Sequence, residues 1–150
     1  MKLRSLTALL VCLLLALCSG CDLLVPSLPE ASSVTRDDFL GEWVNTDPNT
    51  GGCTRFEIYA DEQSQLIFQG YGACHPTDCV WDPVPMTLFC DSVTDTDEKY
   101  AMWVRGESFA GKTGLLEFSG SDLQLTLFTA FTDGSGRSNY RSIDLFRRAQ

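Results

Sequence analysis

Histidine is nearly absent: the 150 residues contain one, His75. Any imidazole-based triad or metal site must use that side chain, which lies between Cys74 and Pro76. The nucleophile-elbow pattern G-x-S-x-G is missing, which removes the usual setting of a hydrolase serine. Helical periodicity is almost missing as well; the only plausible helix is a short turn over 36–40. No apolar run reaches the roughly 20 residues of a membrane span, the longest being about a dozen, at 6–17. Basic residues are scarce, 11 against 20 acids, for a formal net charge of −9. Such a surface repels nucleic acid and anionic headgroups; it suits solubility, or a cationic partner.

What is present begins with a leader. Lys2 and Arg4 precede the apolar run, and the small residues Ser19 and Gly20 follow it. This layout reads as a secretory signal peptide over 1–20. Cys18-Ser19-Gly20-Cys21 resembles the lipobox of bacterial lipoproteins, departing from it at Cys18, where that family has an aliphatic residue. The resemblance implies that Cys21 becomes an acylated N-terminus. Each buried CH₂ contributes about 0.8 kcal/mol, so several chains hold a protein at a membrane. Residues 21–36 then read as the lipidated cysteine and a tether, with Pro26 and Pro29 among serines. The expected location is the cell envelope, lipid-anchored to a bacterial membrane, with the domain in the periplasm or outside the cell. Loss of the leader removes Lys2 and Arg4 and no acid, taking the net charge from −9 to −11.

Seven cysteines are present; with Cys12 and Cys18 in the leader and Cys21 lipidated, Cys53, Cys74, Cys79 and Cys90 remain. An even number in an exported domain suggests two disulfides, among the three ways of pairing four cysteines. Cys74–Cys79 is the short local pair, and Cys53–Cys90 is left by subtraction. Cys74-His75-x-x-x-Cys79 also has zinc-compatible residue types, at a loose spacing for a metal.

Residues 37–150 suffice for one domain with one core. Alternation runs through them: 54–60 (TRFEIYA), 65–71 (QLIFQGY), 99–105 (KYAMWVR), 122–131 (DLQLTLFTAF) and 140–146 (YRSIDLF). Adding 42–45, 86–89 and 115–118 predicts about eight short strands separated by turn signals. The fold class expected is all-β, an antiparallel up-and-down barrel.

Residues 106–113, GESFAGKT, match the phosphate-loop pattern G-x-x-x-x-G-K-[ST]. That pattern needs a helix after the lysine, whereas LLEFSGSDLQLTLF reads as strand, turn, strand, so no nucleotide is expected. Asp133-Gly134-Ser135-Gly136-Arg137 reads as a hairpin turn, or as an anion-binding nest completed by Arg137. Asp91, Asp95, Asp97 and Glu98 share one polar loop, a solvated connection or a weak calcium site without EF-hand spacing.

Gly41-Glu42-Trp43 resembles the G-x-W motif that opens the first strand of lipocalins. The resemblance implies a tryptophan packed at the closed end of a barrel, with an arginine of the last strand across it. Arg147 is assigned that place, with Arg148 as its alternative. The T-D-Y motif of that family is missing, since Thr132-Asp133 is followed by Gly134. A second resemblance, to a group of exported bacterial domains, rests on Gly41–Thr50, Cys74–Trp81 and Phe131–Tyr140. It implies a Cys74–Cys79 clasp and no particular activity.

Two functions from different classes fit. One is a lipocalin-like lipoprotein that binds a small apolar or amphipathic ligand, lined by Phe56, Phe68, Tyr71, Trp103 and Phe128, with Trp81 and Met102 adding bulk. Those same residues also suffice to fill the interior. The other is an acidic protein-binding module, for example an inhibitor of a cationic envelope-directed enzyme, similar in size and anchoring to lipoprotein lysozyme inhibitors. No acid–base pair or nucleophile stands out, so neither catalysis nor a cofactor nor a metal is expected.

Overall fold

A computed structural model describes residues 33–150. The leader, Cys21 and most of the tether lie outside the described residues. The folded part is all-β and antiparallel, with one helical turn, α1 (Arg36–Phe39). Its strands are β1 (Gly41–Asn45), β2 (Cys53–Ala60), β3 (Leu66–Gly72), β4 (Cys79–Val80), β5 (Val84–Pro85), β6 (Thr87–Phe89), β7 (Tyr100–Gly106), β8 (Ala110–Ser119), β9 (Asp122–Phe131) and β10 (Tyr140–Arg148).

The strands form one sheet in the order β4-β3-β2-β1-β10-β9-β8-β7-β6, with β5 also on β3. Pairing of β1 with β10 joins the start and finish of the folded chain. The expected closed barrel is not what forms: the ladder stops at β4 and β5 on one edge and at β6 on the other. Both edges belong to the same segment, which lies on β3 as far as Pro85 and on β7 from Thr87. Pro83 and Pro85 lack the N–H that a continuous ladder requires, so the segment pairs in pieces. Those pieces also raise the strand number to ten rather than about eight. β8 is longer than its expected 115–118 and reaches back through Lys112 to Ala110.

Alternation divides each long strand into an inward and an outward set. On β8 and β9, Phe118, Leu116, Gly114 and Lys112 pair with Leu123, Leu125, Leu127 and Thr129. β10 continues these rungs inward with Phe146, Asp144, Ser142 and Tyr140. The interior is filled by a column of rings. Phe118 meets Phe39 at 4.9 Å and Trp43 at 6.1 Å. Phe56 meets Phe146 at 4.6 Å and Phe68 at 5.0 Å, and Phe68 meets Trp103 at 4.7 Å. Full burial of each such side chain contributes roughly 1.5–3 kcal/mol, which makes this column the main support of the fold.

One end of the sheet is capped by α1. Phe39 is wholly buried there, and its carbonyl accepts the indole N–H of Trp43 at 3.0 Å. The Asp38 carboxylate accepts the backbone N–H and the hydroxyl of Thr35, which hold its pKa below the usual value. Val34 packs on the core, so the folded part begins slightly before residue 37.

Candidate functional site

The capped end carries the motif that resembles lipocalins, and its parts come together. Gly41 has φ +122, and a Cβ there would lie 2.7 Å from Nη1 of Arg148. Both facts call for glycine. Arg148, not Arg147, lies over the Trp43 ring, 4.4 Å from its centroid, and donates to the carbonyls of Leu40 and Asp38. Strand alternation explains the correction. Phe146 and Arg148 share the inward side of β10, whereas Arg147 points away, 70% exposed, toward Asp122 at 3.5 Å.

The expected ligand-lining residues do not form a cavity. Phe56 and Phe68 are buried inside the ring column. Tyr71 faces outward beneath the Arg55 guanidinium, 3.5 Å from its centroid, and Phe128 faces outward at 48% exposure. Trp103 alone stays near a cavity, packed against Trp81, which lines it, without lining it itself.

That cavity lies at the end opposite α1. Trp81 turns inward across Gly70 and Gly72 on β3, where a Cβ would come within 2.5 and 2.8 Å of its indole. Trp103 occupies the matching gap at Gly114, where a Cβ would lie 2.2 Å away. The two indoles meet edge to face at 6.5 Å and seal the ring column. Beyond them the inward row turns polar. Arg105, Lys112, Thr129 and Tyr140 occupy a single rung across β7, β8, β9 and β10. Lys112 Nζ stands 4.5 Å from the Trp81 ring and divides the opening into two clefts. One, of about 380 Å³, is lined by Cys53, Gly72, Trp81, Lys112, Leu127, Tyr140, Ser142 and Asp144 among others. The second, of about 560 Å³, lies on the side of Asp82, Arg105, Glu107 and Phe109.

The lysine of GESFAGKT is thus an interior strand residue. Gly106 pairs with Gly111 in a hairpin whose turn is 107–109, and β8 follows instead of a helix. Dipole and N–H cradle, the two features a phosphate loop supplies, have no source here.

Of the cysteines, Cys74 and Cys79 form the expected disulfide, with Cα atoms 5.4 Å apart. Cys53 and Cys90 do not pair. Cys53 opens β2 on the rung of Gly72, at the cleft, whereas Cys90 follows Phe89, whose rung runs through Tyr100 to Glu117. Glu117 belongs to the far part of β8, five residues beyond Lys112, and no disulfide spans that distance. Burial pushes the Cys53 thiol up to about 12. Cys90 is partly exposed, and its thiol is raised by desolvation and by Asp95, Glu98, Asp97 and Asp91.

The acidic loop is a connection closed on itself, with Lys99 bonded to Asp91 at 2.5 Å and Asp95 at 3.4 Å. Residues 133–137 form the expected turn. Ser135 first, then Arg137, hold Asp133 down at about 2, and the Arg137 guanidinium lies 3.8 Å from the Phe131 ring. An arginine so engaged leaves little for an anion. Among the described residues no group of three or more His, Cys, Asp or Glu is arranged for a metal ion.

In the sequence Trp81 stands out only as bulk, and Arg105, Lys112, Glu107 and Thr129 do not stand out as a group. The available signal was a long cation at an inward parity position in 99–105, Arg105, in line with Trp103 and Ala101. In comparisons with known proteins, no family model, no curated protein and no solved structure matches the chain.

Proposed function

We propose that this chain is a lipid-anchored envelope protein whose lipocalin-like domain binds a small amphipathic molecule at the open end of its sheet. The bacterial lipoprotein leader supports the anchoring, and Cys21 is the residue it would use. The lipocalin likeness draws support from Gly41, Trp43 and Arg148 at the capped end and from the single segment that lies along both sheet edges. One observation carries the binding site. One indole, Trp81, and two cations, Lys112 and Arg105, line clefts of about 380 and 560 Å³, a size that suits small ligands. The body of the ligand would rest on Trp81, Leu127 and Tyr140, and its polar head on the row above.

The test is calorimetric titration of the full chain, in detergent, with 2-naphthoate, 2-naphthamide and decanoate. At least one should bind saturably, and Trp81→Phe should weaken it about tenfold or more. Absence of binding across the three, or an unaffected Trp81→Phe, would contradict the reading.

The acidic protein-binding alternative draws on the opposite face. Phe128 and Ile143 point outward on the neighbouring strands β9 and β10, and Val104 on β7, one strand further on beyond β8, all about half-exposed or more, on a chain of net negative charge. Salt-sensitive retention of a basic protein, lost in Phe128→Ser, would favour it.

A further inference from the structure

Arg105, Lys112 and Glu107 stand close together with little access to water, their side chains 14%, 13% and 12% exposed. One oxygen, Oε1 of Glu107, serves both cations, at 3.2 Å from Lys112 Nζ and 3.6 Å from Arg105 Nη2. Asp82 also reaches Arg105 Nη2 at 3.2 Å, but its carboxylate is 91% exposed and its field is screened.

Three buried side-chain polar atoms have no partner among the described residues: Trp103 Nε1, Arg105 Nη1 and Thr129 Oγ1. All three side chains project from the same inward face. Arg105 and Thr129 flank Lys112 on its own rung, and Trp103 lies against Gly114 on the next. Trp103 and Thr129 are each 2% exposed. The first two atoms can only donate, and a hydroxyl can donate as well. Their common complement is a group that accepts only. A carboxylate fits, with two oxygens and about four lone-pair sites.

We propose that the open end recognises the carboxylate of a small aromatic or amphipathic acid, and that Glu107 is the built-in competitor for that place. The inference rests on the binding reading above and assigns the ligand its head group. In the free protein Glu107 bridges Lys112 and Arg105; the ligand's carboxylate displaces it. Exchange of one monoanion for another keeps the charge of a poorly hydrated site constant. Glu107 is free to leave because it belongs to the 107–109 turn. Its backbone N–H donates to Ala110 O at 2.7 Å, a bond that side-chain rotation does not touch. The larger cleft, between Asp82, Phe109 and Lys112, gives the departing side chain room.

The experiment compares wild type and Glu107→Gln, each as the full chain, by calorimetry with 2-naphthoate, 2-naphthamide and inorganic phosphate. Wild type should bind the acid about tenfold or more tightly than the amide. Glu107→Gln should tighten the acid about fivefold and leave the amide unchanged, since the competitor loses its charge without losing its shape. Circular dichroism checks the fold of the variant. Should it fail to fold, Glu107→Asp, one CH₂ shorter, should tighten the acid in the same sense. Equal or weaker binding of the acid by these variants overturns the competitor role. Equal affinity for acid and amide overturns carboxylate recognition while leaving ligand binding standing, and failure of both to bind removes the two together. Phosphate as tight as naphthoate would make this a general anion site and defeat the organic-acid assignment.

Discussion

The two ends of the inward face are built on the same alternating strands, yet they resolve their polar groups in opposite ways. At the α1 end every conspicuous polar atom is matched: the Trp43 N–H meets the Phe39 carbonyl, and Arg148 covers the ring while donating to two carbonyls. At the other end two cations share one glutamate, and three buried atoms have no partner among the described residues. A cap that only had to hold the fold together would resemble the first end. Leaving a buried donor unpaired costs about 1–3 kcal/mol, and the open end tolerates three such atoms in one neighbourhood. Polar groups are satisfied at one end, and left open to a ligand, on the proposed reading, at the other.

The sharpest break of that comparison is Trp43→Ala. It empties the capped end and should lower stability by about 3–5 kcal/mol in urea unfolding. A loss below about 1 kcal/mol would show that the ring column does not anchor the fold. Gly114→Ala comes next. Its new Cβ would meet Trp103 at 2.2 Å, and the overpacking should cost about 1–3 kcal/mol while pushing Trp103 against Trp81. Arg148→Ala should cost about 0.5–2 kcal/mol through the lost stacking, whereas Arg147→Ala should stay within about 0.5 kcal/mol. Equal effects of the two would return the stacking role to Arg147. The smallest effect concerns the free thiols. Cys90 should be alkylated in the native protein at neutral pH. Cys53, buried and raised to about 12, should be alkylated only on unfolding, as counted by mass spectrometry.

How much of this was legible depended on whether the signal was local. Alternation is a local property, so the long strands stand close to where residues 54–60, 65–71, 99–105, 122–131 and 140–146 put them. Glycine, aspartate and proline likewise mark the turns, and Cys74–Cys79 is a pair five residues apart. What failed was long-range. Whether the sheet closes depends on how the segment carrying Pro83 and Pro85 divides itself between β3 and β7, which no periodicity records. Which of two adjacent arginines faces Trp43 depends on the register of β10 against β1. Cys53 and Cys90 passed an even count, yet their rungs lie at different ends. The cleft was hidden for a related reason. Gly70, Gly72 and Gly114 read as weak strand residues, and only the tertiary fold reveals them as the spaces that two indoles fill.

The central claim is that the open end, through Lys112, holds the head of an acidic ligand. Calorimetric affinity of the full chain for 2-naphthoate, wild type against Lys112→Met, tests it most directly. Methionine keeps the apolar stem over Trp81 and removes only the charge, so affinity should fall about tenfold or more, with unfolding by urea little changed. An unchanged affinity in a folded Lys112→Met protein would contradict the account.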